Sequence, residues 1–448
     1  MGSRVERFKS LLRVARVARK NKVLRALREI GVGGDRPATR EGAREFRHAL
    51  EELGTTYIKL GQLLSSRSDL LPDVYIEELD RLVDQVPPVP FPDIEAVIFE
   101  DLDRDLFVRI DPEPIATASI AQIHRAQLAN GRAVAVKVRR PGIVEQVQRD
   151  LDLIRSTAKL LDKHSEAAQL LQVAALADEL EVHLLAELNF DEEAHNAELI
   201  ASFLVDFPDL VVPEVIRPYV TERVLVMELI DGEKVSATHG LAPERASELA
   251  REFFRAYVRQ VTMEGVYHAD PHRGNVLLTP DGRLALLDFG LLGRLDDDTR
   301  RSLSLLLLAI SQNRSDDVAD LILGLSLTTL HSDEPSFLHE LRRRLPRYHW
   351  RPLKDIKAGE ALADLQRIAL RNGIRLPPAF ALVGKTLSQA DSIGASSIPS
   401  WTRSSCSRRT ASTRCSKRPT DSSSHVRCSP TCSPSWRPCR VSRAALRP

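Results

Sequence analysis

The residues whose types and spacing suggest chemistry lie between positions 267 and 290. The segment Tyr267-His-Ala-Asp-Pro-His-Arg-Gly-Asn275 precedes Asp288-Phe-Gly290, and Asp288 follows Asn275 by 13 residues. Phosphoryl transfer from a nucleotide requires one carboxylate that orients the attacking hydroxyl, and an asparagine and a second aspartate that hold Mg²⁺ on the phosphates. The order of these residues predicts that Asp270 is catalytic and that Asn275 and Asp288 bind the metal.

The segment between Asn275 and Asp288 indicates which element positions them. Two short apolar runs flank the turn Pro280-Asp-Gly-Arg283, and this pattern is typical of a β-hairpin. Either motif alone occurs often by chance. Both motifs in order, on either side of a hairpin of suitable length, favour a nucleotide site.

A lysine suited to phosphate binding lies upstream. Two apolar runs flank Asn130-Gly131, the dipeptide most typical of a tight hairpin, and the second run, Ala133-Val-Ala-Val-Lys137-Val138, carries the lysine. A buried ammonium requires an anionic partner, which in a kinase is the α- and β-phosphates together with a helix glutamate. We therefore predict that Lys137 holds the phosphates, although an ordinary edge-strand lysine shares the local pattern.

Three further motifs resemble those of the UbiB/AarF-type atypical kinases, a family associated with quinone biosynthesis. Lys59-Leu-Gly61-Gln62 is similar to the family's Lys-x-Gly-Gln motif, and Ala116-Thr-Ala-Ser119 stands where an ordinary kinase has its glycine-rich loop. Glu187-Leu-Asn189, which runs into Glu193-Ala-His-Asn196, is similar to the Glu-x-Asp and Glu-Ala-x-Asn motifs. The resemblance covers about residues 35 to 395.

The resemblance implies a site for ATP or ADP with Mg²⁺. In addition to Lys137, it implies cofactor contacts from Ala116, Thr117, Ala118, Ser119, Glu187, Glu193, Glu228, Lys59 and Gln62. Glu193 is the expected partner of Lys137, and Glu187 is expected to engage the Lys59 motif. Glu228 lies in an apolar run that leads into the expected adenine hinge at Asp231-Gly232.

Two departures from known patterns affect these expectations. The loop from Ala116 to Ala118 carries Cβ atoms where glycines would allow close approach of the backbone to phosphates, so a stiffer loop is expected. The second acid of the Glu-x-Asp motif is Asn189 here. Because an amide coordinates Mg²⁺ more weakly than a carboxylate, a metal role for Asn189 is in doubt.

The expected fold is an α+β, bilobal, protein-kinase-like fold with an N-terminal helical extension and a disordered C-terminal tail. Four regions are predicted: a helical extension at 1–105, a small lobe with inserted helices at 106–230, a helical large lobe at 231–395, and the tail at 396–448. The inserted helices are expected at 143–164 and 174–187.

Composition is that of a globular enzyme and excludes some classes of function. The 448 residues are 43% hydrophobic and 28% charged, with a net charge of +1, which predicts no nucleic-acid role. No apolar run reaches the length of a membrane span. The stretch from Arg4 to Arg28 is expected to be one basic amphipathic helix with Phe8, Leu11, Leu12 and Ala15 on one face. It would lie on an anionic membrane or pack on the domain.

The residues after about Ser392 have a different character. They are rich in Ser, Arg, Pro and Thr, and they contain all five cysteines (Cys406, Cys415, Cys428, Cys432 and Cys439). One interpretation is a disordered tail with redox or metal-binding cysteines. The favoured interpretation is a shifted reading frame, since one GC-rich choice of codons for residues 393–402, read two bases later, encodes Arg-Gly-Val-Leu-Asp-Pro-Glu-Leu-Asp. The C-terminal membrane-spanning hairpin typical of the family would then be lost.

The favoured function is that of an ATP-dependent phosphotransferase or ATPase that supports ubiquinone or related prenylquinone biosynthesis. A nucleotide-binding scaffold without turnover is the main alternative, and a kinase of the aminoglycoside type is disfavoured by Lys59-x-Gly-Gln62. Expected partners are a nucleotide, a lipid or prenylquinone precursor and other biosynthetic enzymes. The expected location is the cytoplasm or the inner face of a membrane, in peripheral contact.

Overall fold

The computed structural model describes residues 2–30, 37–65, 70–82, 86–164, 173–235, 241–326, 332–348 and 358–396. The interpretations made for the tail beyond Ser396, including its cysteines, therefore lie outside the described residues. Within the described part, a mostly antiparallel set of strands is combined with helices that precede, interrupt and follow it along the chain. The α+β class expected from the sequence is confirmed.

The N-terminal region consists of helices. They are α1 (Gly2–Lys20), α2 (Val23–Glu29), α3 (Arg40–Leu53), α4 (Thr55–Ser65), α5 (Asp73–Leu79) and α6 (Phe91–Asp101). The first five share one core, in which Phe46 of α3 and Tyr75 of α5 lie with their ring centroids 6.1 Å apart. This core places α4, with its Lys-x-Gly-Gln motif, on a rigid helical support.

The single N-terminal helix expected from Arg4 to Arg28 is wrong, because the chain breaks into α1 and α2. Lys22 has a left-handed backbone (φ 49°), and the Asn21 side chain donates a hydrogen bond to the carbonyl of Val17. This local bond competes with the helix and lets α2 turn and bury Ala26.

The expected apolar face of α1 does not pack on the domain. Val17 is the buried contact of α1, whereas Leu11, Leu12 and Ala15 are exposed. Basic residues of α1 lie against α3, where Arg13 donates to the carbonyl of Leu53 and Lys20 pairs with Glu52 at 2.9 Å. Helix α1 therefore packs on α3, but through a different face from the one predicted. Membrane contact stays a prediction.

An antiparallel sheet of five strands follows, in the order β1-β2-β3-β6-β5. The strands are β1 (Phe107–Thr117), β2 (Ala121–Leu128), β3 (Ala133–Arg139), β5 (Val215–Val220) and β6 (Val224–Glu228), with the short β4 (Leu210–Val211) in another sheet. Gly131 in the β2–β3 turn has a φ of +84°, as a tight hairpin turn requires. One face of the sheet packs on Ile94 and Ile98 of α6.

Three helices are inserted between β3 and β4. They are α7 (Ile143–His164), α8 (Val173–Glu187) and α9 (Phe190–Phe203). The prediction of helices at 143–164 and 174–187 is confirmed to within one residue. Leu151, Leu184 and Phe190 bury one apolar face of each helix in a shared core.

The remaining strands form small sheets. They are β7 (Glu233–Lys234), β8 (Val266–His268), β9 (Val276–Leu278), β10 (Leu284–Leu286) and β11 (Leu292–Arg294). Leu284 pairs with Leu278 and Leu286 with Val276, so the predicted hairpin is confirmed. β11 pairs with β8, which brings the segment after Asp288 beside the segment before Asp270.

The C-terminal region is helical. It comprises α10 (Pro243–Arg259), α11 (Asp297–Ser311), α12 (Ser315–Leu325), α13 (Glu334–Arg344), α14 (Ala358–Arg371) and α15 (Pro378–Ser396). Phe253, Phe337 and Phe380 lie in its extensive core. Among the described helices, none is both long and apolar enough to cross a membrane.

Candidate nucleotide site

The candidate site is a cavity of about 120 Å³ whose walls come from α4, α8, α9, the sheet, the β9–β10 hairpin and α15. It brings together most of the residues predicted from sequence. Its lining includes Lys59, Gln62, Ala118, Lys137, Glu187, Glu193, Asp270, Asn275 and Asp288. Residues from distant parts of the chain thus meet at one polar site.

Lys137 and Glu193 form a buried ion pair in this cavity. The Lys137 Nζ atom lies 2.5 Å and 2.8 Å from the two carboxylate oxygens of Glu193, and both side chains are less than a tenth exposed. Burial alone would lower the pKa of the Lys137 ammonium. The negative charges of Asp288 and Glu193 have the larger effect, so this pKa lies above its usual value. The expected contact is therefore present, and the ammonium is charged.

Asp288 is the second carboxylate near the lysine. Its Oδ1 atom lies 3.9 Å from Lys137 Nζ and accepts a hydrogen bond of 3.1 Å from the Gly290 N–H. Burial opposes ionisation, but the charge of Lys137 and this N–H bring the pKa of Asp288 well below its usual value. Asn196 of α9 holds the adjacent peptide by donating to the carbonyl of Phe289 at 3.0 Å. The result is a fixed, ionised carboxylate.

Asp270 is positioned by the chain before it and by helix α15. Its N–H donates to His268 Nδ1 at 3.1 Å, and the amide of Gln389 donates to its Oδ1 at 3.2 Å. Burial lowers the pKa of His268, so this imidazole is neutral and can accept. Thr386 adds a hydrogen bond of 3.0 Å to the carbonyl of Ala269. The Asp270 carboxylate remains nearly half exposed toward the cavity.

Asn275 and Asp288 fit a magnesium ion that is shared with phosphates. Leu287 donates to the carbonyl of Asn275 at 3.0 Å, which ties the two ends of the hairpin together. Within the described residues, no group of three His, Cys, Asp or Glu side chains could hold a metal ion. Mg²⁺ commonly uses only one or two protein oxygens and completes its shell with phosphate and water. Asn275 and Asp288 supply that kind of donor set.

The loop that replaces the glycine-rich loop is held by hydrogen bonds to its backbone. Arg140 donates to the carbonyl of Ala118 at 2.9 Å, and Thr55 of α4 donates to the carbonyl of Ser119 at 3.4 Å. Ala118 lines the cavity, whereas Ala116, Thr117 and Ser119 do not. These bonds hold the backbone of Ala118 and Ser119, and the stiffness of the loop stays a prediction.

Two other predicted positions lie apart from the cavity. Glu228 does not line it, and its carboxylate accepts a hydrogen bond of 3.2 Å from the Glu214 N–H. Asn189 caps helix α9, since its side chain accepts a hydrogen bond of 3.1 Å from the Asp191 N–H. A helix cap accounts for Asn189 without a metal role.

The Lys-x-Gly-Gln helix α4 closes one side of the cavity. Lys59 Nζ lies 2.8 Å from a carboxylate oxygen of Glu187 at the end of α8, and both side chains are less than a fifth exposed. Gln62 also lines the cavity. Gly61 allows close packing, because a Cβ atom there would lie 2.3 Å from a methyl carbon of Leu82. The expected contact between Lys59 and Glu187 is present.

Lys59→Met is expected to weaken Mg–ADP binding about tenfold, because a cation beside the phosphates and Asp288 is lost. The positive charge of Lys59 also helps to keep the pKa of Asp288 low. Calorimetric titration would measure the affinity. Lys159→Met on the exposed side of α7 is the matched control. Equal affinity in a folded Lys59→Met protein would contradict a role for α4 at the phosphates.

Sequence reasoning missed several residues of the site. His183 and Leu184 of α8 and Lys385 of α15 line the cavity, and Gln389 contacts Asp270. A signal for Lys385 was present, since it is the one charged residue in the apolar run 379–387. His183 and Gln389 occupy ordinary helical positions and carry no such signal.

Two models of protein families match the chain. One is described as the ABC1 atypical kinase-like domain and matches residues 81–322. The other is described as the UbiB helical domain and matches residues 341–398. The first match includes the sheet, Lys137, Glu193, Asp270 and Asp288, and the second includes α14 and α15.

Individual relatives agree with these matches. An uncharacterized protein of Synechocystis is 38% identical over 360 residues, which cover 77% of this chain and 88% of that protein. A Marinobacter nauticus protein named "Probable protein kinase UbiB" is 34% identical over 79% of this chain and 66% of its own length. The chloroplastic Arabidopsis thaliana protein ACTIVITY OF BC1 COMPLEX KINASE 3 is 39% identical over 264 residues, which cover 58% of this chain and 37% of that protein.

A solved structure shares the fold. It is a Mycobacterium tuberculosis protein in a complex with erythromycin, with a TM-score of 0.50 and 25% sequence identity. The match covers 78% of this chain and 92% of that one. Together with the domain matches, it confirms the kinase-like fold and the resemblance to UbiB and AarF proteins.

Proposed function

The chain belongs to the ABC1 atypical kinase-like family, and we propose that it binds a magnesium nucleoside triphosphate and transfers or hydrolyses the terminal phosphoryl group. The observation that carries the proposal is the buried Lys137–Glu193 pair with the Asp288 carboxylate 3.9 Å from the lysine. Asp270 and Asn275 line the same cavity. This is the set of groups that phosphoryl transfer requires.

The roles of the side chains follow from their charges and contacts. Lys137, held by Glu193, is suited to bind the α- and β-phosphates. Asp288 and Asn275 would hold Mg²⁺, which neutralises phosphate charge when bound. Asp270 would accept a hydrogen bond from the attacking hydroxyl or water and orient it. Gln389 and His268 keep Asp270 in place for this task.

A finer proposal concerns the biological role. The resemblance to UbiB/AarF kinases supports a role in ubiquinone or related prenylquinone biosynthesis, with a lipid or quinone precursor and other biosynthetic enzymes as partners. The exposed Leu11 and Leu12 on the basic helix α1 suit peripheral contact with an anionic membrane. These partners belong to the proposal.

Asp270→Asn is expected to lower ATP turnover about 10²- to 10⁴-fold, the usual contribution of a positioned acid–base group. Mg–ATP affinity should remain, because Asp270 is not assigned to the metal. Turnover is measured as phosphate release, and affinity by calorimetry.

Asp281→Asn is the matched control, since this carboxylate lies in the turn of the same hairpin and pairs with Arg283 on the surface. Full turnover by the Asp270→Asn protein would contradict the assignment. Stoichiometric Mg–ATP binding without turnover by the unmodified protein would support the scaffold function instead.

A further inference from the structure

A second, larger cavity adjoins the candidate nucleotide site. Its volume is about 650 Å³, and it lies between helices α4 and α5 on one side and α14 and α15 on the other. Gln62, Asp270 and Lys385 line both cavities. The Asp270 carboxylate therefore stands at the boundary between the two spaces. A group bound in the larger cavity can therefore reach Asp270.

The lining of this second cavity contains both apolar and polar groups. Ile76, Leu79 and Leu82 line it from the N-terminal helices, and Ser65 and Asp80 add polar groups to the same wall. Near Asp270, Gln389 presents a buried Oε1 atom that accepts no hydrogen bond within the described part of the chain. A buried acceptor without a donor is costly, so a ligand hydroxyl or amine there would be stabilised.

Lys385 supplies a cation at the same boundary. Its ammonium group interacts electrostatically with the carboxylate of Asp80, which lines the same cavity. The next residue, Thr386, fixes the backbone of this turn of α15 to the loop that carries Asp270 through its bond to Ala269. A cation at this boundary can stabilise negative charge that develops on a phosphoryl group in transit.

We propose that the second cavity is the acceptor site, and that it takes a small molecule with a hydroxyl group and an apolar portion. This inference rests on the proposed nucleotide function. The acceptor oxygen would bond to the terminal phosphorus of the nucleoside triphosphate as the bond from that phosphorus to the bridging oxygen breaks. The nucleoside diphosphate leaves with the electron pair, the hydroxyl proton passes to Asp270, and Lys385 faces the transferred group. The apolar portion packs on Ile76.

The test uses 1-octanol as the probe, with heptyl methyl ether as an isostere that lacks the hydroxyl. Two variants fill the cavity from opposite walls: Ile76→Trp on α5 and Gly384→Leu on α15. A Cβ atom at Gly384 would make only ordinary contacts, 3.6 Å from Leu362, so the first atom of the new side chain is accommodated. Glu77→Trp on the exposed side of α5 is the matched control.

Octanol affinity is expected to fall at least tenfold in each cavity variant and to remain in Glu77→Trp, while Mg–ADP affinity stays unchanged in all three. Octyl phosphate should form with Mg–ATP, and the ether should yield no phosphorylated product. Octanol affinity equal to that of the unmodified protein in both cavity variants would overturn the acceptor site and leave the nucleotide site intact. Failure of the unmodified protein to bind Mg–ADP would instead overturn the proposed function. Octanol affinity is measured without nucleotide, so it tests the second cavity independently of that result.

Discussion

Asp288→Asn is expected to abolish Mg²⁺-dependent nucleotide binding while leaving the fold intact. Although the surrounding protein partly desolvates Asp288, its pKa lies well below its usual value, because Lys137 and the Gly290 N–H stabilise its negative charge. An asparagine has nearly the same shape and keeps an acceptor for Gly290. It removes the one ionised side chain assigned to the metal, so phosphate charge is left uncompensated.

Calorimetric titration with ADP, with and without Mg²⁺, measures this effect. The expected result is that the unmodified protein gains affinity from Mg²⁺ and the Asp288→Asn protein does not. Asp281→Asn makes the same chemical change in the exposed turn of the hairpin and should keep the full magnesium effect. An unchanged magnesium effect in a folded Asp288→Asn protein would refute the metal assignment.

Much of this fold could be predicted because local sequence and tertiary structure agree. The Asn130-Gly131 turn requires a left-handed backbone, and an apolar run flanks it on each side, as a buried hairpin requires. The hairpin between Asn275 and Asp288 was likewise predicted from a turn flanked by apolar runs. Its length sets the separation of these two side chains along the chain. Motifs with fixed spacing therefore predicted which side chains meet, even across long stretches of sequence.

The remaining features depend on packing that no short pattern encodes. The break at Lys22 combines the local bond of Asn21 to Val17 with the packing of both α1 and α2 on α3, and the second cause has no sign in the sequence of the segment. The role of Gln389 depends on how α15 lies across the catalytic loop, 119 residues away from Asp270 in the chain. A glutamine on a helix is ordinarily a solvated side chain, so only the assembled structure distinguishes this one.

Lys137→Met is expected to destabilise the protein by about 3–5 kcal/mol and to remove nucleotide binding, because Glu193 is left as an unpaired buried charge. The double variant Lys137→Met/Glu193→Leu should recover most of the lost stability, since two apolar side chains of similar size can replace a buried pair at little cost. It should still fail to bind Mg–nucleotide, because the phosphates have lost their cation. The recovery of stability without recovery of binding separates the structural role of the pair from its functional role.

Urea unfolding, followed by circular dichroism, measures the stability of both variants, and calorimetry measures binding. Arg132→Met is the control, because it breaks the exposed pair with Glu214 next to the same sheet and should leave the stability almost unchanged. A double variant as unstable as Lys137→Met would show that the pair stabilises the fold by itself. Nucleotide binding by the double variant with wild-type affinity would show that the phosphates are held elsewhere, and the assignment of Lys137 would have to be abandoned.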